Sequence, residues 1–77
     1  MILVVNADDL DAEEAVLEVT GRYARYFSVK SRNMTGASLD LVLEVRTTEG
    51  SALVRDMMKL EHVSSASLLS HDGEVTF

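Results

Sequence analysis

The stretch from Ser38 to Thr47, with the sequence SLDLVLEVRT, constrains the fold of this chain more than any other. Every second residue from Leu39 to Val45 is branched and apolar, and most of the residues between them are charged. A β-strand directs alternate side chains to opposite faces of a sheet, so this pattern predicts a strand with one apolar and one polar face. The apolar face needs a cover, and the best helical patterns lie on either side of the stretch. A small sheet with helices on one face is therefore predicted.

Length and composition indicate one small domain over residues 1–77. With 77 residues, 47% of them hydrophobic, the chain has enough apolar material for one core. The absence of cysteine excludes disulfides, thiolate metal sites and cysteine nucleophiles. The longest apolar run, Ile2 to Val5, is far shorter than the ~20 residues that span a bilayer. We therefore expect a soluble domain.

The charges are acidic in sum and unevenly distributed. Thirteen acidic and seven basic residues give a net charge of −6, which disfavours nucleic acid and anionic membrane surfaces as partners. Carboxylates are concentrated before residue 19, whereas residues 22–32 contain basic residues and no acidic one. This distribution is typical of charges that complement a helix dipole, and the alternative is a polar patch that binds a partner.

The first part of the chain predicts a strand and then a helix. Ile2 to Asn6 is apolar and rich in β-branched residues, which indicates a central strand buried on both faces. Asp11 and Glu14 then resemble a capping box, with Leu10 placed to pack on Ala15. The apolar side of the predicted helix consists of Ala12, Ala15, Val16, Val19, Tyr23 and Ala24. Gly21 inside it either softens the last turn or permits close approach to the sheet.

A hairpin and a second helix are predicted next. Residues 26–32 alternate in part and carry charges, as edge strands do, and residues 33–37 supply a turn into the Ser38 strand. Residues 47–51 offer several N-caps for a second amphipathic helix. Its apolar positions are Leu53, Val54, Met57, Met58 and Leu60, with the methionine pair expected in the core.

The chain then ends in a last strand and a turn. Val63 to Leu69 predicts a strand, and His71-Asp72-Gly73 is a tight-turn signal. Residues 74–77 then either form a short fifth strand or fray. The order β-α-β-β-α-β predicts an α+β, ferredoxin-like fold. Its four-stranded antiparallel sheet has the first and third strands in the middle and two helices on one face.

Motifs for catalysis or cofactor binding are scarce. Neither His62 nor His71 has a sequence partner for nucleophilic catalysis; His62 is expected as a cation in the last turn of the second helix, and His71 in a solvated turn. The acidic residues between Asp8 and Glu14 lack the glycine and spacing of an EF-hand, and the four scattered glycines form no phosphate-binding loop. We therefore expect no enzymatic activity, no cofactor and no metal site.

Three segments carry a resemblance to a known family: Phe27 to Asn33, Leu41 to Arg46, and Leu60 to Glu74. They resemble the C-terminal ACT-like domain of an uncharacterised (DUF) family of bacterial polytopic membrane proteins found near VTC-type polyphosphate polymerases. More distantly, they are similar to the C-terminal ACT-like domain of MgtC/SapB-type membrane proteins. The resemblance implies a ferredoxin-like cytoplasmic domain, excised from a longer membrane protein and located at the cytoplasmic face of the membrane. It implies no catalytic residues.

Two functional hypotheses follow. The first is a non-enzymatic regulatory or protein-interaction domain that forms a homodimer or binds a protein partner through its sheet edges or exposed face. The exposed face of the third strand would contribute Asp40, Val42, Glu44 and Arg46, which include no aromatic residue and so disfavour RNA binding.

The alternative is an ACT-type sensor that binds a small molecule, such as an amino acid, at a dimer interface. Its ligand would lie near the loop after the first strand, at Asn6, Asp8, Asp9 and Asp11. ACT domains that bind amino acids usually have a glycine in this loop, and its absence here disfavours the sensor. The acidity of the same loop disfavours an acylphosphatase-like enzyme, which would need an arginine there.

Overall fold

The computed structural model describes residues 1–69 of the chain. Within this range the elements are β1 (Ile2–Ala7), α1 (Glu13–Tyr23), β2 (Tyr26–Thr35), β3 (Ser38–Arg46), α2 (Gly50–Met57) and β4 (Val63–Leu69). A 3₁₀ turn, Leu10–Ala12, leads into α1. The predicted turn at His71 and the predicted fifth strand at 74–77 lie outside the described residues.

The four strands form one antiparallel sheet in the order β2-β3-β1-β4, which confirms the predicted α+β ferredoxin-like arrangement. The two central strands are β1 and β3. Leu3 lies opposite Leu43 and Val5 opposite Leu41, and none of these four side chains retains any exposed surface. Complete burial of a leucine contributes about 1.5–3 kcal/mol, so this central ladder is a large part of the stability of the fold.

The hydrophobic core lies between the sheet and the two helices. The apolar residues of β3 that the alternation predicted are all fully buried in it: Leu39, Leu41, Leu43 and Val45. Val16 and Val19 of α1, with Leu53 and Met57 of α2, pack against the same core. Both helices therefore cover the same face of the sheet.

The prediction that β1 is buried on both faces is wrong. Its residues alternate between buried and half-buried: Leu3 and Val5 point toward the helices, while Ile2 and Val4 lie on the other face. The reason is that the helices form a single layer, so a central strand is covered on one side.

The helix α1 begins differently from the predicted capping box. The Asp9 carboxylate, rather than that of Asp11, accepts a hydrogen bond from a backbone amide, the Asp11 N–H, at 2.8 Å, and this contact caps the 3₁₀ turn. Leu10 and Ala15, predicted to pack on each other, are both exposed.

On the buried side of α1, the Thr20 hydroxyl donates to the backbone carbonyl of Val16 at 2.8 Å, so its polar group is satisfied.

The edge strand β2 is longer than predicted and carries a bulge. It continues to Thr35, so the turn into β3 consists of Gly36 and Ala37, with Gly36 at φ 60°. The pairing with β3 shifts by one residue between Val29 and Ser31. Bulges and charges at an edge both discourage pairing with other strands.

The helix α2 ends earlier than its apolar pattern indicated. It stops at Met57, which is fully buried, whereas Met58 is 45% exposed and lies outside the core. The N-cap residue of α2 is Glu49, whose side chain makes no capping hydrogen bond, and the Thr47 hydroxyl accepts from the Glu49 N–H at 2.9 Å just before the helix. The predicted core pair is therefore a single core methionine.

Candidate functional site

The face of the sheet opposite the helices, here called the open face, has no helix or strand packed on it in residues 1–69. The strand register places on it Ile2, Val4, Asn6, Tyr26, Ser28, Ser31, Asn33, Asp40, Val42, Glu44, Arg46, Ser65, Ser67 and Leu69. Most of these side chains are short, so the open face is nearly flat. Such a surface fits another flat surface better than it fits a small ligand.

Three β-branched apolar side chains occupy the centre of the open face. Val4 lies directly opposite Val42, and Ile2, two residues before Val4, lies on the same side of β1. All three are half-buried. Ser31 pairs with Val42 on one side, and Ser67 pairs with Val4 on the other. The middle row across all four strands therefore carries no charge.

The four residues predicted for a sheet-face interface lie together on the open face, in one column along β3: Asp40, Val42, Glu44 and Arg46. Asp40 is opposite Asn6 of β1, and Arg46 is opposite Tyr26 of β2. The ionised side chains thus flank the uncharged middle row. Tyr26 and Leu69 add exposed apolar surface at one end, each about half exposed.

The residues predicted for a ligand loop are only partly brought together. Asn6 lies on the open face, whereas Asp8 and Asp9 lie beside His62. The Asp9 carboxylate caps the 3₁₀ turn, and Asp11 is exposed. Asp8 and Asp9 thus use their carboxylates in contacts within the chain, which is the geometry of a structural connection.

The expectation that His62 lies in the last turn of a helix is wrong. It lies in the segment between α2 and β4, because the helix ends at Met57. Its Nδ1 is 3.1 Å from an Asp8 oxygen and its Nε2 is 3.5 Å from an Asp9 oxygen. The Asp8 backbone N–H also donates to the His62 carbonyl at 2.9 Å. His62 thus ties the loop after β1 to the start of β4.

No group of three or more His, Asp or Glu side chains in the described residues is arranged to hold a metal ion. No helix among residues 1–69 is long and apolar enough to cross a membrane.

No family model matches the chain, and no curated protein matches it. The resemblance to ACT-like domains of membrane proteins therefore stays a prediction from the sequence.

The sequence pattern predicts the β3 column of the open face but not the neighbours of that column. Ile2 and Val4 were read as core because every residue of that run is apolar. Ser65 and Ser67 stand out only once β4 is paired with β1. A signal was present in the serines of β4, which alternate with Ala66 and Leu68 and so mark one polar face.

Proposed function

We propose that this chain is a non-enzymatic protein-interaction domain that binds a second copy of itself through the open face. The observation that carries the proposal is the uncharged middle row of that face, with Val4 and Val42 at its centre and Ser31 and Ser67 at its sides. We also propose that the domain is the tail of a bacterial membrane protein and lies at the cytoplasmic face of the membrane. This part of the proposal rests on the sequence resemblance.

The side chains of the open face suit sheet-on-sheet packing. Two sheets that stack face to face lie about 10 Å apart and interdigitate short side chains. Valine and serine fit this spacing, and their rotamer entropy is low, so little order is lost on binding. Long lysine side chains would hinder such contact, and the lysine nearest the middle row is Lys30, the extra residue of the bulge directly before Ser31.

Symmetry favours one arrangement of the two copies. A two-fold axis parallel to the strands, between β1 and β3, would bring Val42 of one copy over Val4 of the other. It would also bring Asp40 over Asn6, whose amide N–H groups can donate to the carboxylate. The pairs Val4–Val42 and Asn6–Asp40 are neighbours in the sheet, so the same surface supplies both halves of the interface.

The size of the open face sets the expected affinity. Four strands about 4.8 Å apart and about seven residues long give a projected area of roughly 450 Å². Standard interfaces bury about 800 Å² per partner, and smaller ones are mostly weak or transient. Two copies of net charge −6 also repel each other. We therefore expect a dissociation constant in the micromolar range or higher. It should decrease when salt screens the repulsion between the copies.

Sedimentation equilibrium of the chain at low and high salt tests the proposal. Ser67→Glu places a charge in the middle row without removing a buried group, because Ser67 is exposed. Ser51→Glu is the matched control, since it adds the same charge on the exposed side of α2. We expect a dimer for the wild type and for Ser51→Glu, and a weakening of at least about tenfold for Ser67→Glu.

A strict monomer at millimolar concentration and high salt would refute self-association. An equal effect of the two substitutions would show that the copies meet through another surface. Circular dichroism on each variant confirms that the fold is retained. A Val42→Glu variant provides a second probe at the centre of the face.

A further inference from the structure

A groove at one end of the sheet lies where α1 passes into β2 and β3 ends. It has a volume of about 630 Å³, and its lining includes Arg25, Tyr26, Val45, Arg46 and Thr48. The backbone N–H of Arg25 donates to the Arg46 carbonyl at 2.8 Å, which holds the backbones of the two residues side by side. The groove is within the size range of small-molecule sites, about 300–1,000 Å³.

The two arginines of the groove differ from the basic residues that hold the fold together. Arg22, Arg32 and Lys59 form ion pairs with carboxylates of their own chain. Arg25 and Arg46 form no ion pair within residues 1–69, although the chain has thirteen acidic residues. Two guanidinium groups that form no ion pair with the described part of the chain thus border one groove of an acidic protein.

The remaining lining residues supply complementary contacts. The Tyr26 ring is about half exposed and offers an apolar surface, with the buried Val45 beneath the groove. Thr47 uses its hydroxyl inside the fold, where it donates to the Tyr23 carbonyl at 2.8 Å, whereas Thr48 is exposed. Glu44 and Glu49 do not line the groove, but Met1 does, and its terminal ammonium lies 3.5 Å from a Glu44 carboxylate oxygen.

We propose that this groove binds a small organic anion, whose carboxylate or phosphate group lies between Arg25 and Arg46 and whose apolar body packs on Tyr26. Guanidinium groups match planar carboxylates and phosphates through paired N–H donors, and such charge-assisted bonds are the strong ones. The Thr48 hydroxyl provides one more donor at the rim. The site shares Tyr26 and Arg46 with one end of the open face, whereas Arg25 precedes β2 and is not part of that face.

Titration of ¹⁵N-labelled protein with benzoate and with phenyl phosphate tests the site, with benzyl alcohol as the uncharged analogue. We expect saturable shifts of the amide signals of residues 25–26 and 46–48 with at least one anion and none with the alcohol. A stronger response to phenyl phosphate assigns the site to phosphates, and a stronger response to benzoate assigns it to carboxylates. Absence of shifts at these amides with both anions at millimolar concentration would overturn the proposal.

Arg25→Gln removes one guanidinium, and Arg55→Gln is its matched control, because Arg55 is an exposed arginine on α2 away from the groove. Affinity should fall at least about tenfold in Arg25→Gln and stay unchanged in Arg55→Gln. An equal loss in both variants would show non-specific attraction and refute the site. Ser67→Glu should bind the anion as the wild type does, and Arg25→Gln should still dimerise, so the two proposals fail separately.

Discussion

The Tyr23 hydroxyl donates a hydrogen bond to the Asp56 carboxylate and so joins the last residue of α1 to α2. The Thr47 hydroxyl also donates a hydrogen bond to the backbone carbonyl of Tyr23. The bond lowers the pKa of the Asp56 carboxyl, with a smaller contribution from Lys59, and it raises the pKa of the Tyr23 phenol. This contact therefore links the end of α1 to α2, in addition to the core that both helices share.

Removal of this hydroxyl should destabilise the fold. Tyr23→Phe keeps the ring but leaves the Asp56 carboxylate without its donor from α1. We expect a lower urea midpoint with an unchanged slope. Tyr26→Phe is the control, because the Tyr26 hydroxyl makes no hydrogen bond among the described residues, and its midpoint should match that of the wild type. Equal midpoints for the two variants would mean that the interhelical bond contributes nothing.

Acid should remove stability through Asp56 and Glu13. The hydrogen bond from Tyr23 lowers the pKa of Asp56, and the hydrogen bonds from Arg32 lower the pKa of Glu13. A lowered pKa in the folded state gives stability that is complete above the unfolded value, about 4, and is lost as the pH falls through the folded value. The melting temperature, measured at decreasing pH from pH 6, should therefore decrease once the pH is below about 4. The fall should be shallower in Asp56→Asn and Glu13→Gln, and a parallel fall in all three proteins would contradict this assignment.

High pH should also reduce the stability of the fold, and this effect should come from Tyr23. Its pKa is raised by the hydrogen bond to Asp56, so the protonated phenol is favoured in the folded state. That stability is complete below the unfolded value, about 10, and is lost as the pH rises through the folded value. Absorbance titration of the phenolate in wild type and Asp56→Asn measures the difference. The apparent pKa of Tyr23 should decrease in the variant, and an unchanged titration would exclude Asp56 as its cause.

The sequence was most informative where a pattern depends on the strand alone. Leu39, Leu41 and Leu43 recur at every second position, and period two puts them on one face whatever the strand pairs with. The run from Ile2 to Val5 has no such period. Whether its second face is covered depends on how many layers the fold has, which is a property of the assembled structure.

The position of Arg32 shows a second limit of sequence reasoning. The bulge between Val29 and Ser31 shifts the alternation of β2 by one residue, so Arg32 points to the helix side. There its guanidinium Nε donates to a Glu13 carboxylate oxygen at 2.6 Å, on α1. A charged edge residue was predicted, but its partner depends on the bulge, which no local pattern in residues 26–35 marks. The groove at Arg25 and Arg46 was missed for the same reason, since it forms only when β2 pairs with β3.

The two faces of β3 should respond very differently to truncation. Leu43 is fully buried between sheet and helices, and Leu43→Ala should cost about 2–5 kcal/mol of unfolding free energy. Val42 is its neighbour on the open face and half-buried, and Val42→Ala should cost about 1 kcal/mol or less. Urea unfolding at low protein concentration, where the chain is monomeric, gives both values. Similar costs at both positions would show that the open face is covered within one chain.

Two glycines should respond to alanine with opposite signs. Gly21 lies inside α1, and an added Cβ would meet the Phe27 ring at an ordinary contact distance of 3.6 Å. Gly21→Ala should therefore stabilise the protein by about 0.5–1 kcal/mol, because alanine favours the helix and restricts the unfolded chain. Gly36 has φ +60° in the β2–β3 turn, with open space around it, so only backbone strain opposes a side chain there. Gly36→Ala should cost about 1–2 kcal/mol. Unfolding midpoints that shift in the same direction would show that the turn conformation or the helix position of Gly21 is wrong.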